Sequence, residues 1–255
     1  MMTGSKDKKE MIIAVTGANR GIGAAIAVEL AGRGYTVACL TRQGIAPKTP
    51  EAEGVATSSR LFGIRCDVTD PASIQAAVGD IVAMPGRLWG LVNCAGIIKG
   101  GPSQSFTVAD FEATMKTNVV GAFSMCQAVY QPLADQGGGL IINIGSFWDQ
   151  MGVKWYAAYC ASKAAVGALT RCLGVEWGKK GIRVVTVAPG YIETEMTAKD
   201  LQSETTRKFL ESRLPLGRVG QPREVAAVIA ALFDADVGYL TATTIYVDGG
   251  QGAAM

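Results

Sequence analysis

The residues best suited to chemistry are Tyr159 and Lys163, four positions apart in a stretch with helical periodicity. Residues at this spacing share a helix face, so we expect the two side chains to point the same way. A tyrosine hydroxyl has an ordinary pKa of about 10, and a nearby ammonium group favours its ionised form. The pair therefore predicts a group that gives a proton to a ketone or takes one from an alcohol.

The same spacing also occurs on surface helices, where the two side chains simply stack. Ser146 adds a second indication because it follows the fifth predicted strand, and open α/β sheets bind ligands beyond the carboxyl ends of their strands. Its hydroxyl could hydrogen-bond a substrate carbonyl, or it could instead cap a turn. The chain has no histidine, which excludes Ser-His-Asp and Cys-His schemes and most zinc sites. We expect no metal.

A glycine-rich turn, Thr16–Gly23, directly follows the first predicted strand and precedes a helix. Its glycines permit a sharp turn and a close ligand approach, and the helix N-terminus offers N–H groups to a phosphate. Such a turn can also serve only to join a strand to a helix. Its place in the first βαβ unit favours dinucleotide binding.

Two arginines indicate which dinucleotide is bound. Folds selective for NAD usually carry an acidic residue after the second strand, to hold the ribose 2′-hydroxyl. No Asp or Glu occurs between Thr36 and Pro50, and the predicted strand runs into Arg42. Arg20 and Arg42 could bracket a 2′-phosphate, which predicts NADP(H) as the cofactor. The alternative is two ordinary solvated arginines.

Alternating strands and helices must position these residues. The predicted strands are Met11–Thr16, Thr36–Thr41, Leu61–Cys66, Leu88–Asn93, Leu140–Gly145, Arg183–Ala188 and Thr243–Val247. The predicted helical stretches are Ile22–Ala31, Ala72–Met84, Phe106–Asp135, Tyr156–Gly178 and Glu224–Phe233. This alternation predicts an α/β fold: a doubly wound (Rossmann) parallel sheet of about seven strands, with helices on both faces, in a single domain.

Three segments are expected to depart from the regular pattern. We expect residues 1–10 to be a flexible tail before a domain that spans residues 11–255. Gln43–Arg60, which contains two prolines and two glycines, is expected to be a loop. Glu193–Leu214 is polar and is expected to be a substrate lid, the alternative being a plain surface excursion.

Composition limits the partners and the compartment. The 255 residues carry a formal net charge of +2, too near balance to indicate nucleic acid or an anionic membrane as a partner. No apolar run approaches the roughly 20 residues of a spanning helix. The six cysteines are scattered, which is typical of reduced thiols in a cytoplasmic protein.

From about Met11 to Gly250 the chain resembles the short-chain dehydrogenase/reductase family. Its motifs are most similar to those of 3-oxoacyl-[acyl carrier protein] reductases and related ketoreductases. The motifs occur in family order: TGANRGIG at Thr16–Gly23, CDV at Cys66–Val68, NCAG at Asn93–Gly96, NVVG at Asn118–Gly121, IGS ending at Ser146, YCASK at Tyr159–Lys163, APGYIETEMT at Ala188–Thr197, PLGRVGQPREVA at Pro215–Ala226 and VDGG at Val247–Gly250.

The resemblance implies a role for each candidate residue. Tyr159 is expected to be the general acid/base, Ser146 to polarise the carbonyl, and Lys163 to lower the tyrosine pKa and hold the nicotinamide ribose. Asn118 is expected to anchor a water that relays protons. With the glycine turn and the two arginines, the expected cofactor-binding residues are Gly17, Asn19, Arg20, Gly21, Ile22, Gly23, Arg42, Asp67, Val68, Asn93, Ala95, Gly96, Tyr159, Lys163, Pro189, Gly190, Ile192 and Thr194.

The chain departs from the family pattern at several positions. Thr241-Ala242 replaces a frequent Thr-Gly pair, and Cys94 stands where a second asparagine is common. Aromatic residues replace the usual small ones near the expected site, and they could line an apolar pocket or a subunit contact. These residues are Phe147, Trp148, Trp155 and Tyr156.

The expected activity is reversible, NADPH-dependent reduction of a ketone to a secondary alcohol. The substrate is a small carbonyl or alcohol compound, either a 3-oxoacyl thioester or a hydrophobic ketone. The alternatives are an NAD-dependent alcohol or sugar dehydrogenase of the same family and a non-catalytic NADP(H)-binding protein. By resemblance, we also expect a homo-oligomer, with a tetramer favoured.

Overall fold

A computed structural model describes residues 7–49, 59–198, 203–235 and 237–254. Seven strands form one sheet in the order β3-β2-β1-β4-β5-β6-β7, and every neighbouring pair is parallel. The strands are β1 Met11–Thr16, β2 Thr36–Thr41, β3 Leu61–Arg65, β4 Arg87–Asn93, β5 Gly139–Ile144, β6 Ile182–Pro189 and β7 Thr243–Val247. From β1 the chain builds β2 and β3 on one side and then returns to build β4 on the other side. The strand order therefore reverses between β1 and β4, which is where such folds open a crevice.

Helices connect the strands. They are α1 Gly21–Gly32, α2 Pro71–Ala83, α3 Val108–Met115, α4 Gly121–Asp135, α5 Ala157–Trp177, α6 Glu204–Arg213 and α7 Pro222–Asp234. Short helical turns occupy Lys8–Glu10, Phe147–Asp149, Gly178–Lys180 and Gln251–Ala253, and a π-helical turn occupies Lys116–Val120.

Helices cover both faces of the sheet because side chains alternate along each buried strand. In β1, Ile13 and Val15 belong to one apolar cluster, which also holds buried residues of α1 and α7. Ile12 and Ala14 belong to the other cluster, with buried residues of α2, α4 and α5. The prediction of a parallel α/β sheet with two covered faces is therefore confirmed, and the carboxyl ends of all seven strands meet at one edge.

Most strand bounds agree with the prediction, while one helical stretch was wrong in detail. The strands β1, β2 and β7 have the predicted bounds, and the other four differ by one residue at an end or at both. Phe106–Asp135 is not one helix. It begins at Val108 and contains the π turn at Lys116–Val120. An extra residue in a helical turn has no periodicity signature, so the sequence pattern could not reveal it.

The three irregular segments are described only in part. Within the predicted tail, Lys8–Glu10 forms a turn, and Lys8 Nζ lies 2.6 Å from Asp234 Oδ1 at the end of α7; residues 1–6 lie outside the described residues. In the predicted loop, residues 44–49 have no regular structure, and residues 50–58 lie outside the description. In the predicted lid, Glu204–Arg213 is helical, and residues 199–202 lie outside.

Ala242 takes a backbone conformation that favours glycine. Its φ is 56°, in the left-handed region where a Cβ approaches the following carbonyl oxygen at a cost of about 1–2 kcal/mol. The chain holds it there, since its N–H donates to the Val184 carbonyl over 2.7 Å. Gly174 of α5 also lies against it, because a Cβ at Gly174 would come within 2.9 Å of the Ala242 nitrogen.

Ala242→Gly should therefore stabilise the protein. Relief of strain outweighs the larger backbone entropy that glycine gives the unfolded chain, so the free energy of unfolding should rise by about 0.5–1 kcal/mol. Urea denaturation measures the change. Ala235→Gly is the matched control, because Ala235 is exposed with a φ of −78° and should lose stability. Equal changes in the two variants would contradict strain at Ala242.

Candidate active site

The turn between β1 and α1 requires glycine at several positions. Gly17 and Gly21 have φ values of 67° and 55°. A Cβ at Gly23 would lie 2.3 Å from the Gly17 carbonyl oxygen, so only glycine fits there. No side chain caps α1, whose N-cap residue Arg20 is extended. Uncapped N–H groups and the helix dipole thus face a cradle that suits an anion.

Thr16 joins this turn to the loop after β4. Its Oγ1 accepts hydrogen bonds from the Cys94 and Ala95 N–H groups, each over 3.0 Å. A Cβ at Gly17 would lie 3.0 Å from the Ala95 Cα. The predicted residues of the two loops are therefore adjacent. The predicted site omitted the Thr16 hydroxyl, although the position of Thr16 at the end of a strand was a signal.

Arg20 and Arg42 both lie exposed beyond the strand ends. The Arg20 guanidinium makes a 3.4 Å ion pair with Glu195, and its side chain is 67% exposed. Exposed pairs contribute little, so this contact does not tie up the arginine. Asp67, in the loop after β3, accepts bonds from Thr69 N and Oγ1 at 2.9 and 2.8 Å. These bonds, with a smaller contribution from the Arg42 charge, lower the pKa of Asp67.

The loop after β6 closes the cradle on its other side. Pro189 is the last residue of β6, and a Cβ at Gly190 would lie 2.6 Å from the Asp248 Cα. Ile192 is buried and forms a bridge to Gly220. A Cβ at Gly21 would meet Thr194 side-chain atoms at 3.7 Å, so the loop after β6 reaches the glycine turn.

Ser146, Tyr159 and Lys163 converge at the carboxyl end of β5. The Ser146 side chain faces Tyr159 and favours the ionised form of its hydroxyl. Lys163 lies one helical turn after Tyr159, and its Nζ is 5.5 Å from the centre of the tyrosine ring. That Nζ donates to the Ile144 carbonyl over 2.7 Å. Ser146 also accepts a bond from Trp148 N over 3.2 Å, so it caps a turn and faces the tyrosine as well.

Burial dominates the electrostatics of this group. Removal from water raises the pKa of Tyr159 to about 12, and the Ser146 hydrogen bond opposes this rise. Burial also lowers the pKa of Lys163 to about 8. For the protein groups by themselves the pKa of Tyr159 is thus raised, because loss of solvation has the largest effect. The expected effect of Lys163 on the tyrosine stays a prediction.

Asn118 lies in the π turn and locks the loop after β4. Its Oδ1 accepts from Ile97 N at 2.8 Å, and its Nδ2 donates to the Ile97 carbonyl at 2.9 Å and to Ser162 Oγ at 3.0 Å. Ser162 in turn donates to the Tyr159 carbonyl over 2.7 Å. The predicted site omitted Ser162, although its place inside the Tyr-Lys motif was a signal. Gly96 lies beside Asn118 and Lys163.

Asn93 belongs to a buried polar chain under the site. Its Nδ2 donates to Asn143 Oδ1 at 2.9 Å, and Asn143 Nδ2 donates to Thr170 Oγ1 at 2.9 Å. Thr170 accepts a further 2.7 Å bond from Thr186 Oγ1. This chain ties β4, β5 and β6 to α5, so Asn93 supports the cleft from beneath. Nothing in the spacing of these residues signalled the chain.

Four aromatic rings contact one another beside Tyr159, and we call them the aromatic wall: Phe147, Trp148, Tyr156 and Tyr191. The Trp148 ring lies 5.7 Å from that of Tyr159, at 90°. The predicted aromatic cluster is therefore divided, since Trp148 reaches the site while Trp155 is 53% exposed. Tyr191 joins the wall through Phe147 and Trp148; the sequence analysis omitted it.

Among the residues that the structure describes, no group of three or more His, Cys, Asp or Glu side chains is arranged to hold a metal ion. The helices that the structure describes include none that is both long and apolar enough to cross a membrane.

Comparison with known proteins gives consistent matches over nearly the whole chain. The family model described as Enoyl-(Acyl carrier protein) reductase matches residues 17–251. The chain is 35% identical to D-threitol dehydrogenase of Mycolicibacterium smegmatis, over 92% of this chain and 90% of that protein. It is 36% identical to the 3-oxoacyl-[acyl-carrier-protein] reductase MabA of Mycobacterium tuberculosis, over 94% of this chain and 92% of that protein.

The fold also matches solved structures. A gluconate 5-dehydrogenase from Burkholderia cenocepacia, crystallised in complex with NADP and tartrate, superposes with a TM-score of 0.87. Its sequence is 31% identical, and the match covers 98% of this chain and 99% of that one. Three proteins named for different substrates thus resemble this chain to a similar degree.

Replacing Lys163 should change how stability depends on pH. Its folded pKa of about 8 lies below the ordinary value of 10.5, so the unfolded chain holds the proton more tightly. Below about pH 8 the buried charge therefore lowers the free energy of unfolding of the wild-type protein by its full amount. This loss of stability becomes smaller as the pH rises towards 10.5. The stability of Lys163→Met relative to wild type should fall by about 2–3 kcal/mol from pH 7 to pH 10.

Urea denaturation at several pH values measures this difference. Other lysines and tyrosines titrate in both proteins, so the subtraction isolates Lys163. Lys179→Met is the control, because Lys179 is exposed in the turn before β6. Its stability relative to wild type should not vary with pH, and a Lys163→Met curve parallel to wild type would refute burial of the amine.

Proposed function

This chain belongs to the short-chain dehydrogenase/reductase family, and from this premise we propose that it reduces a ketone reversibly to a secondary alcohol with NADPH. The observation that carries the proposal is the convergence of Ser146, Tyr159 and Lys163 at the carboxyl edge of the sheet, beside the glycine cradle. The enzyme is thus an oxidoreductase that acts on CH–OH and C=O groups.

The cradle fits a dinucleotide. The Gly17, Gly21 and Gly23 positions leave no space for a Cβ or favour a conformation that excludes one, so main-chain N–H groups can approach a pyrophosphate. The other residues proposed to line the cofactor site are Asn19, Arg20, Ile22, Arg42, Asp67, Val68, Asn93, Ala95, Gly96, Pro189, Gly190, Ile192 and Thr194, with Tyr159 and Lys163 at the nicotinamide end. When bound, the cofactor supplies a hydride to the carbonyl carbon.

The protein groups manage the proton. Ser146 faces Tyr159, so a substrate oxygen placed between them can accept bonds from both hydroxyls. Tyr159 then donates its proton to that oxygen as the alcohol forms. Burial keeps the phenol protonated at neutral pH, which suits reduction. In the reverse direction Tyr159 must ionise, and positive charge at the nicotinamide and at Lys163 favours this.

Lys163 and Asn118 hold this arrangement in place. The bond from Lys163 Nζ to the Ile144 carbonyl fixes the amine behind the tyrosine ring. Asn118 holds the Ile97 main chain and Ser162, whose hydroxyl bonds the Tyr159 carbonyl. We assign to Asn118 the role of holding the turn of α5 that carries Tyr159 in a fixed position relative to the loop after β4. An ordered water between Asn118 and Lys163 would complete a path for protons to solvent.

Two classes of ketone are candidate substrates: a 3-oxoacyl thioester and a hydrophobic ketone. The name of the MabA relative, a 3-oxoacyl-[acyl-carrier-protein] reductase, supports the thioester. The aromatic wall supports the hydrophobic ketone. The names D-threitol dehydrogenase and gluconate 5-dehydrogenase favour a second function, oxidation of a polyol or sugar. Exposed, polar α6 supports a lid role for residues 193–214.

We also propose a cytoplasmic homo-oligomer. The six cysteines are all free, as expected for a reducing compartment. Exposed apolar side chains on α3, α4 and the π turn between them, among them Val108, Val120 and Phe123, offer a face for a second subunit. A tetramer, with β7 in a further contact, remains the favoured assembly.

Tyr159→Phe should abolish most ketone reduction while NADPH still binds. Loss of a positioned general acid lowers kcat by about 100-fold or more, whereas the ring and its packing remain. Consumption of NADPH with a panel of acetoacetyl thioesters, aromatic ketones and ketosugars measures activity, and nucleotide fluorescence measures binding. Tyr130→Phe, on α4 beside Trp177, is the control and should act like wild type. Near-normal turnover in Tyr159→Phe would disprove the mechanism.

Arg20→Ala and Arg42→Ala should each weaken the preference for NADPH. Loss of a charge-assisted bond to the 2′-phosphate should lower kcat/KM for NADPH by about ten-fold or more, with little change for NADH. Lys179→Ala removes an exposed charge near the opposite edge of the sheet and should leave both values unchanged. Equal kcat/KM values of the wild-type enzyme for NADH and NADPH would rule out the assignment of Arg20 and Arg42 to a 2′-phosphate.

A further inference from the structure

We propose that the aromatic wall selects the substrate, with Trp148 as its specificity-determining residue, and that it favours ketones that carry a flat apolar ring beside the carbonyl. The inference rests on the proposed ketone reduction and assigns a substrate class to that site. It starts from the place of the Trp148 ring, which meets the ring of the proposed proton donor at 90° and 5.7 Å.

The rings of the wall form a corner. Trp148 is almost perpendicular to Tyr159 and also to Tyr191, at 82° and 6.1 Å. Tyr156 leans on the indole at 5.1 Å, and Phe147 lies edge-on to Tyr191 at 5.3 Å. Trp148 remains partly accessible. Flat surfaces that meet near a right angle suit a planar group, because aromatic rings pair best edge-to-face or offset-stacked.

The neighbouring charged side chains are engaged away from these rings. The Tyr246 hydroxyl bonds the two Asp149 oxygens at 3.1 and 3.2 Å, and Lys154 Nζ lies 4.9 Å from the centre of the Trp155 ring. A polyol placed against the faces of these rings would lose water from its hydroxyls, because an aromatic face offers no equivalent hydrogen bonds. An apolar ring has no such cost, while Ser146 and Tyr159 still meet the single carbonyl oxygen.

One short turn holds both the indole and the catalytic serine. Ser146 Oγ accepts from Trp148 N, and Asp149 N donates to the Ser146 carbonyl over 3.0 Å. Tyr246 of β7 fixes the far end of the turn through Asp149 and accepts a 2.6 Å bond from Gln150 Nε2. The turn therefore fixes the indole relative to the Ser146 hydroxyl. Because that hydroxyl is proposed to bind the substrate carbonyl, the indole determines which substituent can lie beside the carbonyl.

A strained residue directs Tyr156 into the wall. Trp155 has a φ of 74°, and the Gly101 N–H donates to its carbonyl over 2.9 Å. The next ring, Tyr156, packs on Gly100, where a Cβ would lie 2.7 Å from Tyr156 Cε1. A bulky residue held in this region indicates that the surroundings impose the conformation. Here the result is a second ring against Trp148.

Binding to a variant that cannot turn over tests the proposal without relying on activity. Tyr159→Phe keeps its ring, and with NADPH bound its affinity for acetophenone and octan-2-one can be compared by calorimetry. These ketones have the same number of carbon atoms, but only one has a ring. Acetophenone should bind about ten-fold more tightly, equal to about 1.4 kcal/mol.

Two substitutions in this background assign the preference to Trp148. Adding Trp148→Leu should bring the two affinities to within about two-fold of each other, whereas adding Trp148→Phe should keep most of the preference because a ring remains. Phe62→Leu, which removes an exposed ring from the edge strand β3, is the matched control and should change neither affinity. Equal binding of the two ketones before any change at Trp148, or a preference that survives Trp148→Leu, would overturn the proposal.

Steady-state kinetics with the wild-type protein separate this proposal from the one on which it rests. If acetophenone binds preferentially but no ketone of the panel consumes NADPH, the proposed reduction fails and the selectivity of the wall stands. If octan-2-one or an acetoacetyl thioester is reduced as efficiently as acetophenone, the reduction stands and the inference about the wall fails. Preferential reduction of acetophenone, with a raised KM in Trp148→Leu, would support both.

Discussion

The structure depends on a buried amine that bonds the main chain at the end of a central strand. Lys163 is only 7% exposed, and its Nζ donates to the Ile144 carbonyl. A charge in such a place is costly unless it is well paired, and its pKa falls accordingly to about 8. The bond links α5 to β5, so the helix turn that carries Tyr159 can lie only where the strand ends. Ser146 follows that strand two residues later and meets the tyrosine without a long loop.

The parallel sheet concentrates the remaining groups at the same edge. Each strand delivers its carboxyl end there, and glycines let the connecting loops approach one another and the start of α1. Hydrogen bonds then fix the loop after β4 from two sides. Thr16 bonds it from the end of β1, and Asn118 bonds it from the π turn between α3 and α4. The buried Asn93–Asn143–Thr170 chain keeps three elements in register beneath the cleft. Burial of Tyr159 at this edge is what raises the pKa of its hydroxyl.

The sequence predicted what depends on local pattern. Short apolar runs located the strands, because buried parallel strands are continuously hydrophobic, and the Tyr-Lys spacing placed two side chains on one face of α5. The π turn at Asn118 has no periodicity signature. The partners of the Thr16 hydroxyl and the contact of Tyr191 with the wall depend on loops that are distant in sequence. The sign of the Tyr159 pKa shift was missed for the same reason, since burial is a property of the assembled fold.

Chemistry and specificity are physically coupled at the turn after β5. The Ser146 side chain both faces Tyr159 and caps the turn that presents Trp148. A change in the wall can therefore leave the proton donor in place only if the turn itself is kept. The chain shares its fold with the gluconate 5-dehydrogenase and is 35–36% identical to the D-threitol and 3-oxoacyl enzymes. Three relatives of 31–36% identity are named for different substrates, so overall similarity does not indicate the substrate of this chain. The rings beside Tyr159 belong to this chain itself, and the proposed selectivity is therefore argued from them.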